Sequence, residues 1–123
     1  MAKDLIVDLG RDRPGMFAKA AEAVGAAGVN IEGFCEVGGK LHILVSSAAR
    51  AKTAVEKAGF KVVGERDVLI RRVLNKPGAG GRLLNRLAEA GVNIEFGYMA
   101  TGTRVVLGVN DLKAAEKAAK RRG

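Results

Sequence analysis

The spacing of apolar residues changes twice in the first half of the chain. Apolar residues dominate positions 5–9 and alternate with polar residues over 29–37, and both patterns indicate strands. Between these segments they recur every three or four positions, which indicates a helix with one buried face. That face consists of Phe17, Ala20, Ala21, Val24 and Ala27. The predicted elements are, in order, a strand over 5–9, a helix after Pro14-Gly15, strands over 29–37 and 41–45, a helix over 48–58 and a strand over 60–63.

The second half of the chain repeats this order and ends one strand earlier. Its pattern again predicts a strand, a helix, two strands and a closing helix. The predicted elements are a strand over 68–74, a helix with the apolar residues Leu83, Leu84, Leu87 and Ala90, strands over 92–98 and 104–109, and a helix from Asp111.

Two sequence motifs recur at one fixed distance. The segment Gly28–Glu32 returns as Gly91–Glu95, and Pro14-Gly15 returns as Pro77-Gly78, both 63 positions later and without a gap. Two independent motifs in one register indicate a duplicated unit. We therefore predict two tandem repeats, at residues 4–66 and 67–123, of which the second is truncated.

The order of elements predicts the fold class. A βαββαβ order contains two right-handed βαβ crossovers, which interleave into an antiparallel sheet with helices on one face. We expect an α+β, ferredoxin-like sandwich for each repeat, with βαββα in the second. Unpaired strand edges invite pairing with another chain, so we also expect a homodimer joined through such edges.

The positive charge is concentrated in the second repeat. The net charge is +8 and the sequence pI about 10.1, with ten Lys/Arg and nine Asp/Glu in residues 1–67 against eleven and four in 68–123. Such a balance raises the alternative of a basic, ferredoxin-like protein that binds RNA. The aromatic pattern does not favour it, because Phe34 stands alone on a polar face while Phe96 and Tyr98 share the spacing of buried residues.

Residues typical of catalysis or metal binding are scarce. Cys35 is the only cysteine, and His42 lies in an apolar strand without a carboxylate or thiol at ligand spacing, so we expect a packed histidine and no metal. The glycine-rich segment 78–82 lacks the Lys-Ser/Thr ending of a phosphate-binding loop. No nucleophile stands in a recognisable setting, so we expect neither enzyme activity nor a cofactor.

The absence of a long apolar run bears on location. No segment approaches the roughly 20 apolar residues that a membrane-spanning helix needs, and the N-terminal residues do not form the apolar stretch of a signal peptide. We expect a cytoplasmic protein that does not enter a membrane.

The Pro-Gly turns are candidate binding elements. Each predicted turn lies between a strand and a helix, where free backbone N–H groups and the positive end of the helix dipole would stabilise a carboxylate. Asp12 and Asn75 stand two residues before the prolines and could accept hydrogen bonds from an ammonium group. The alternative is purely structural, with proline and glycine starting the helix and Asp12 or Asn75 capping its own turn.

Asn30 and Asn93 are a second pair of candidates. They lie early in the predicted strands, and their apolar neighbours face the core, so the amides must point elsewhere. An amide offers both donors and acceptors, which suits a zwitterion, or it could tie down the helix-to-strand turn.

Taken together, residues 12–15 (Asp-Arg-Pro-Gly) and 75–78 (Asn-Lys-Pro-Gly), each followed by a helix and Gly-Val-Asn-Ile, resemble ACT domains. These domains are regulatory amino-acid-binding modules of metabolic enzymes. The resemblance implies an allosteric module that acts on a separate enzyme, with a small amino-acid-like ligand held where two units meet edge to edge. The turn would come from one unit and the asparagine from the other. The residues implied are Asp12, Gly15, Met16, Asn30 and Ile31 in the first repeat, and Asn75, Gly78, Ala79, Asn93 and Ile94 in the second.

The first turn departs from the family pattern. Asp12 replaces the asparagine that ACT domains often have there, and its fixed charge would oppose a ligand carboxylate. The turn of the second repeat is therefore the stronger candidate.

Overall fold

The computed structural model describes residues 2–10 and 13–120. The chain separates into two compact units, residues 1–67 (unit 1) and 68–123 (unit 2).

Unit 1 has the element order βαββαβ. Its four strands form an antiparallel sheet in the order β4-β1-β3-β2, in which Leu5 of β1 lies opposite Ile43 of β3. The elements are β1 (Lys3–Asp8), α1 (Met16–Ala26), β2 (Gly33–Val37), β3 (Lys40–Val45), α2 (Ala48–Lys57) and β4 (Lys61–Arg66).

Unit 2 has the element order βαββα. Its antiparallel sheet has the order β6-β7-β5, with Ile70 of β5 opposite Val106 of β7. The elements are β5 (Leu69–Arg72), α3 (Ala79–Glu89), β6 (Ile94–Ala100), β7 (Arg104–Val109) and α4 (Leu112–Ala119). The α+β, ferredoxin-like prediction is confirmed. None of the helices in the described chain has the length and apolarity that a membrane crossing needs.

Each unit has its own apolar core. In unit 1, Leu5 and Ile43 of the central strands are fully buried together with Val24 of α1 and Val55 of α2. Alternate strand residues face the helices, as a spacing of two requires. The core of unit 2 is formed chiefly by Leu69, Leu83, Leu87, Val109 and Ala115.

The strands after the first helix of each unit begin later than the sequence pattern predicts. They start at Gly33 and Ile94, not at 29 and 92. In both units the helix ends in a Schellman motif, in which the N–H of Val29 or Val92 bonds back to the carbonyl five residues earlier. The first residues of the predicted strands are thus used to close the helices.

The duplication is visible in the backbone at the turns before the helices. Gly15 and Gly78 are the N-caps of α1 and α3, with φ of 91° and 86°. This left-handed conformation favours glycine, because a Cβ would be strained there. The repeated Pro-Gly motif thus encodes a repeated local geometry.

His42 has a partner that the sequence pattern did not indicate. Its Nδ1 lies 3.0 Å from Oδ2 of Asp4, whose side chain is completely buried. The two residues are 38 positions apart, and the antiparallel pairing of β1 with β3 brings them together. The search for a carboxylate at ligand spacing could not find Asp4, because linear spacing says nothing about neighbours across a sheet.

Candidate functional site

The turn that opens α3 is held by its own backbone. The N–H of Lys76 donates to the carbonyl of Leu74 at 2.9 Å, and that of Ala79 to the carbonyl of Lys76 at 3.3 Å. Gly78 caps the helix without any side-chain hydrogen bond. The capping role considered for Asn75 is therefore not seen.

The first turn of α3 presents free and accessible donors. The first bond of the helical ladder runs from the N–H of Arg82 to the carbonyl of Gly78, at 3.0 Å. The N–H groups of Gly80 and Gly81 lie before it and have no partner in an α-helical ladder. A Cβ built on either glycine would meet nothing within 4 Å, so a ligand can approach the backbone closely. The helix dipole favours an anion at this point.

An apolar groove of about 310 Å³ lies beside these donors. Leu74, Leu84 and Met99 contribute to its wall and are 66%, 42% and 58% exposed. Ligand sites are typically roughly 300–1,000 Å³, mostly apolar and supplied with a few polar groups. The groove is lined by Val73, Leu74, Asn75, Gly80, Leu83, Leu84, Met99, Thr103 and Val105.

Asn75 supplies the side-chain amide of the groove. It is exposed, and its amide forms no hydrogen bond with the part of the chain that the structure describes. Gly78 and Ala79 follow it in the same turn and begin the helix. One free amide, two free N–H groups and an apolar wall are the groups that a zwitterion with an apolar side chain requires.

The corresponding turn of unit 1 differs at the first residue of its helix. Asp12 lies outside the described residues. Gly15 is exposed, but the side chain of Met16 packs against the core of unit 1, and its sulfur lies 3.4 Å from Nε of Arg13. Met16 therefore has a structural role that Ala79 does not share.

The asparagines do not meet the turns within a unit. Asn30 is exposed and Ile31 packs against the core, while the backbone of Asn93 is bonded to Asn110 at 2.9 and 3.2 Å and Ile94 packs against the core of unit 2. An eleven-residue helix separates turn from asparagine in each unit, about 16 Å along the axis. The expected pairing of a turn with an asparagine from a different unit stays a prediction.

Several residues of the groove were missed by sequence reasoning. Leu84 was named only as an apolar residue of its helix, and Leu74 and Met99 were not considered as ligand contacts. Thr103 has a positive φ of 55°, which no pattern indicated. Near the turn there are more apolar residues than buried positions, which is typical of a binding surface. This excess can be recognised only once the exposure of each residue is known.

Unit 1 contains a different cavity, of about 570 Å³, between α1 and α2. Alanines form most of its wall. Two of its three polar side chains are already engaged, since Arg50 donates to the carbonyl of Ala27 and Thr53 to that of Ala49, and Lys57 is the third. This cavity offers a ligand little polar recognition.

The aromatic residues do not form a stacking platform. Phe34 is exposed, but its ring meets that of Phe17 edge-on at 5.2 Å. Tyr98 is buried, and Phe96 stacks on it. Among the described residues, no group of three or more His, Cys, Asp or Glu side chains could hold a metal ion.

Asp8, near the turn of unit 1, has a carboxyl whose pKa is shifted by neighbouring groups. The pKa of its carboxyl is below the ordinary value of 3.8, mainly because the backbone N–H of Gly10 donates to Oδ1 at 2.8 Å. The ammonium of Lys40, 3.4 Å from Oδ2, acts in the same direction. The ionised form therefore stabilises the start of this loop.

We expect Asp8→Asn to remove a pH-dependent part of the stability. A carboxyl with a lowered folded-state pKa stabilises the fold above its unfolded pKa, and this contribution is lost as the pH falls through the folded value. The melting temperature of the variant should be below that of the wild type at pH 7, and the difference should shrink below pH 3.8. A difference that stays constant with pH would contradict this.

No family model and no curated protein matches the sequence. Solved structures match nearly the whole chain. Protein BT0572 from Bacteroides thetaiotaomicron is 23% identical with a TM-score of 0.73, covering 97% of this chain and 85% of that one. The regulatory subunit of aspartate kinase from Thermus thermophilus, in its ligand-free form, is 22% identical with a TM-score of 0.71, covering 95% and 88%. The same subunit from Thermus flavus is 20% identical with a TM-score of 0.71, covering 97% and 88%.

These similarities decide the architecture. The chain has the ACT-type fold. The resemblance drawn from the Pro-Gly turns and the Gly-Val-Asn-Ile segments is thereby confirmed at the level of the fold, and two ACT-type units account for the seven strands of the described chain. In the second of these units, the groove lies at the turn before the first helix, where the resemblance implied a ligand contact.

Proposed function

We propose that this protein is a non-catalytic regulatory module that binds a small amino-acid-like ligand and modulates a separate partner. The observation that carries the proposal is the apolar groove of unit 2, which adjoins the free N–H groups of α3 and the unpaired amide of Asn75. A cytoplasmic location and a homodimeric assembly are part of the same proposal.

The ligand would be oriented by its two charged ends. Its carboxylate would accept hydrogen bonds from the N–H groups of Gly80 and Gly81, at the positive end of the helix dipole. Its ammonium group would donate to the side-chain oxygen of Asn75. The groove between Leu74 and Met99 would then hold the side chain, so an amino acid with an apolar side chain fits best.

The regulatory part of the proposal draws on the similar structures. Two of them are regulatory subunits of aspartate kinase. The resemblance further assigns Asn93 or Asn30 of another unit to the same ligand, with Ile94 or Ile31 beside it. A ligand held by two units would favour one way in which these units pair. This change in pairing would then modulate the partner.

A thermal-shift screen against the common amino acids tests the proposal. One apolar amino acid, or a few similar ones, should raise the melting temperature saturably, because a ligand that binds only the folded state stabilises it. The matching amine without a carboxylate should have no effect. If no amino acid shifts the transition at millimolar concentration, the proposal fails.

Asn75→Ala should weaken binding of the active amino acid by about tenfold or more, since a hydrogen bond to a charged group is lost. Isothermal titration calorimetry measures the change. Asn85→Ala is the matched control, because Asn85 lies on the helix that follows, is exposed and bonds only to Glu89 among the described residues. Equal losses in both variants would remove Asn75 from the site. Asn93→Ala tests separately whether the strand asparagine, which the resemblance assigns to the ligand from another unit, contributes to binding.

A further inference from the structure

A second cavity of unit 2 is lined by four arginines. It encloses about 200 Å³ between the end of β5 and the first turns of α3, and Arg71, Arg72, Arg82 and Arg86 all contribute to its wall. The rest of the wall is apolar, and none of the described carboxylates lines it. Four positive charges around one small cavity repel one another and favour an anion between them.

The chain does not provide that counter-charge within the described residues. The ion pairs of Lys3, Lys40 and His42 lie in unit 1, and none of the four guanidinium groups around the cavity pairs with a described carboxylate. Arg82 and Arg86 are four residues apart on α3, so they share a helix face and repel each other. An arrangement of this kind is favourable when an anion lies between the charges.

One of the four arginines has a structural explanation. Nη2 of Arg71 donates to the carbonyl of Ala119 at 3.3 Å, at the end of α4, where the helix dipole favours a cation. Arg72, Arg82 and Arg86 make no comparable bond in the described chain. They are the residues available to a ligand.

Arg86 adds a specific sign of a missing partner. Its Nε is buried and has no hydrogen-bond partner among the described residues. Buried donors are nearly always paired in folded proteins. Because Arg86 also lines the cavity, an oxyanion there would pair with its guanidinium after a small rotation of the side chain.

The volume of the cavity and the arginines in its wall indicate which kind of anion would fit it. At about 200 Å³ it is smaller than typical pockets for whole organic ligands, so it fits one compact charged group. The planar guanidinium group of arginine can donate two parallel hydrogen bonds to two oxygens of a phosphate. Ala79, the first residue of α3, also lies in the wall, so the positive end of the helix dipole favours an anion in the cavity as well.

We propose that this cavity is an anion site for the phosphoryl group of a small phosphorylated compound, separate from the amino-acid groove. The proposal goes beyond the regulatory function above and does not depend on it. The same chemistry could come from free phosphate or from a nucleotide. The two sources differ in what is attached to the phosphoryl group. In a nucleotide, the attached nucleoside would lie outside the cavity, whereas free phosphate has no such attachment.

Calorimetric titration of the full chain with inorganic phosphate and with ADP tests the site, each against sodium chloride at the same ionic strength. Saturable binding of either probe, with one site per chain, is the expected result. Binding of ADP much tighter than phosphate would identify a nucleotide, and equal binding would identify phosphate itself. Absence of saturable binding by both probes would overturn the proposal.

Arginine variants locate the binding. Arg82→Gln and Arg72→Gln should each weaken it about ten- to a hundredfold, since each removes a charge-assisted bond. Arg82→Lys should restore only part of the affinity, because it keeps the charge without the fork. Lys113→Gln removes one charge from an exposed position of α4 outside the cavity and should leave the affinity unchanged. An equal loss in Lys113→Gln would show general charge attraction and refute a built site.

The two sites of unit 2 must be distinguished, because Val73, Leu74 and Leu83 belong to both walls. Asn75→Ala should weaken amino-acid binding and leave phosphate binding unchanged, and Arg82→Gln should weaken phosphate binding and leave amino-acid binding unchanged. If Arg82→Gln weakens both amino-acid binding and phosphate binding, the two ligands share one site, and the proposal of a separate anion site is overturned. Tight RNA binding that falls steeply with salt, with no affinity for ADP or phosphate, would also overturn it.

Discussion

Replacing Asp4 with alanine is expected to lower the free energy of unfolding by about 3–5 kcal/mol. The carboxyl of Asp4 is completely buried in β1, and its Oδ2 lies 3.0 Å from Nδ1 of His42, which is itself only 17% exposed. Removing the carboxyl breaks the hydrogen bond to Nδ1 of His42 and opens a cavity in a buried position. The urea-unfolding transition of the variant should therefore fall at a much lower denaturant concentration.

Asp8→Ala is the matched control for this prediction. Asp8 lies on the same strand and the same side as Asp4, but its side chain is 32% exposed and its ion-pair partner, Lys40, is more exposed still. Exposed ion pairs contribute little because water screens them. The loss in Asp8→Ala should be clearly smaller, and comparable losses at the two positions would show that burial of Asp4 is not what matters.

Gly108→Ala is the second change with a large expected effect. Gly108 lies directly opposite Phe96 in the β6–β7 ladder, and an added Cβ would overlap with ring atoms Cε2 and Cζ of Phe96. The ring also stacks on Tyr98 at 6.2 Å, so it has little freedom to turn away. Overpacking of this kind costs about 1–3 kcal/mol, which a thermal or urea unfolding curve resolves.

A double-mutant cycle identifies the cause. In a Phe96→Ala background the added methyl group finds space, so Gly108→Ala should cost much less there, with a coupling of about 1–2 kcal/mol. Gly25→Ala provides a contrast, because a Cβ at Gly25 in α1 meets nothing within 4 Å. That change should stabilise the protein by about 0.5–1 kcal/mol. A cost for Gly108→Ala that is independent of Phe96 would refute the steric explanation.

The sequence predicted the architecture well because the evidence for it is local and repeated. Period-two and helical spacing give the element types, and Pro77-Gly78 with its copy 63 residues earlier gives the duplicated turn. The left-handed φ of Gly15 and Gly78 shows why glycine recurs at those positions. Strand starts were less accurate, because the Schellman motifs use residues that the alternation assigned to strands.

The candidate site was predictable only in part. The turn from Asn75 to Ala79 was named from sequence, because proline, glycine and an amide at a strand-to-helix junction carry their own local chemistry. The groove beside this turn was not encoded locally, since Leu74, Leu84 and Met99 come from three separate parts of the unit.

The sequence by itself thus determined the order of elements, the duplication and the turns, because each depends on residues within a few positions of one another. Only the tertiary structure decided the pairing of Asp4 with His42, the close approach of the Phe96 ring to Gly108 and the gathering of four arginines around one cavity. These features depend on strand register and on the rotation of helices against a sheet. Both are fixed by packing of the whole unit, so neither can be read from local spacing.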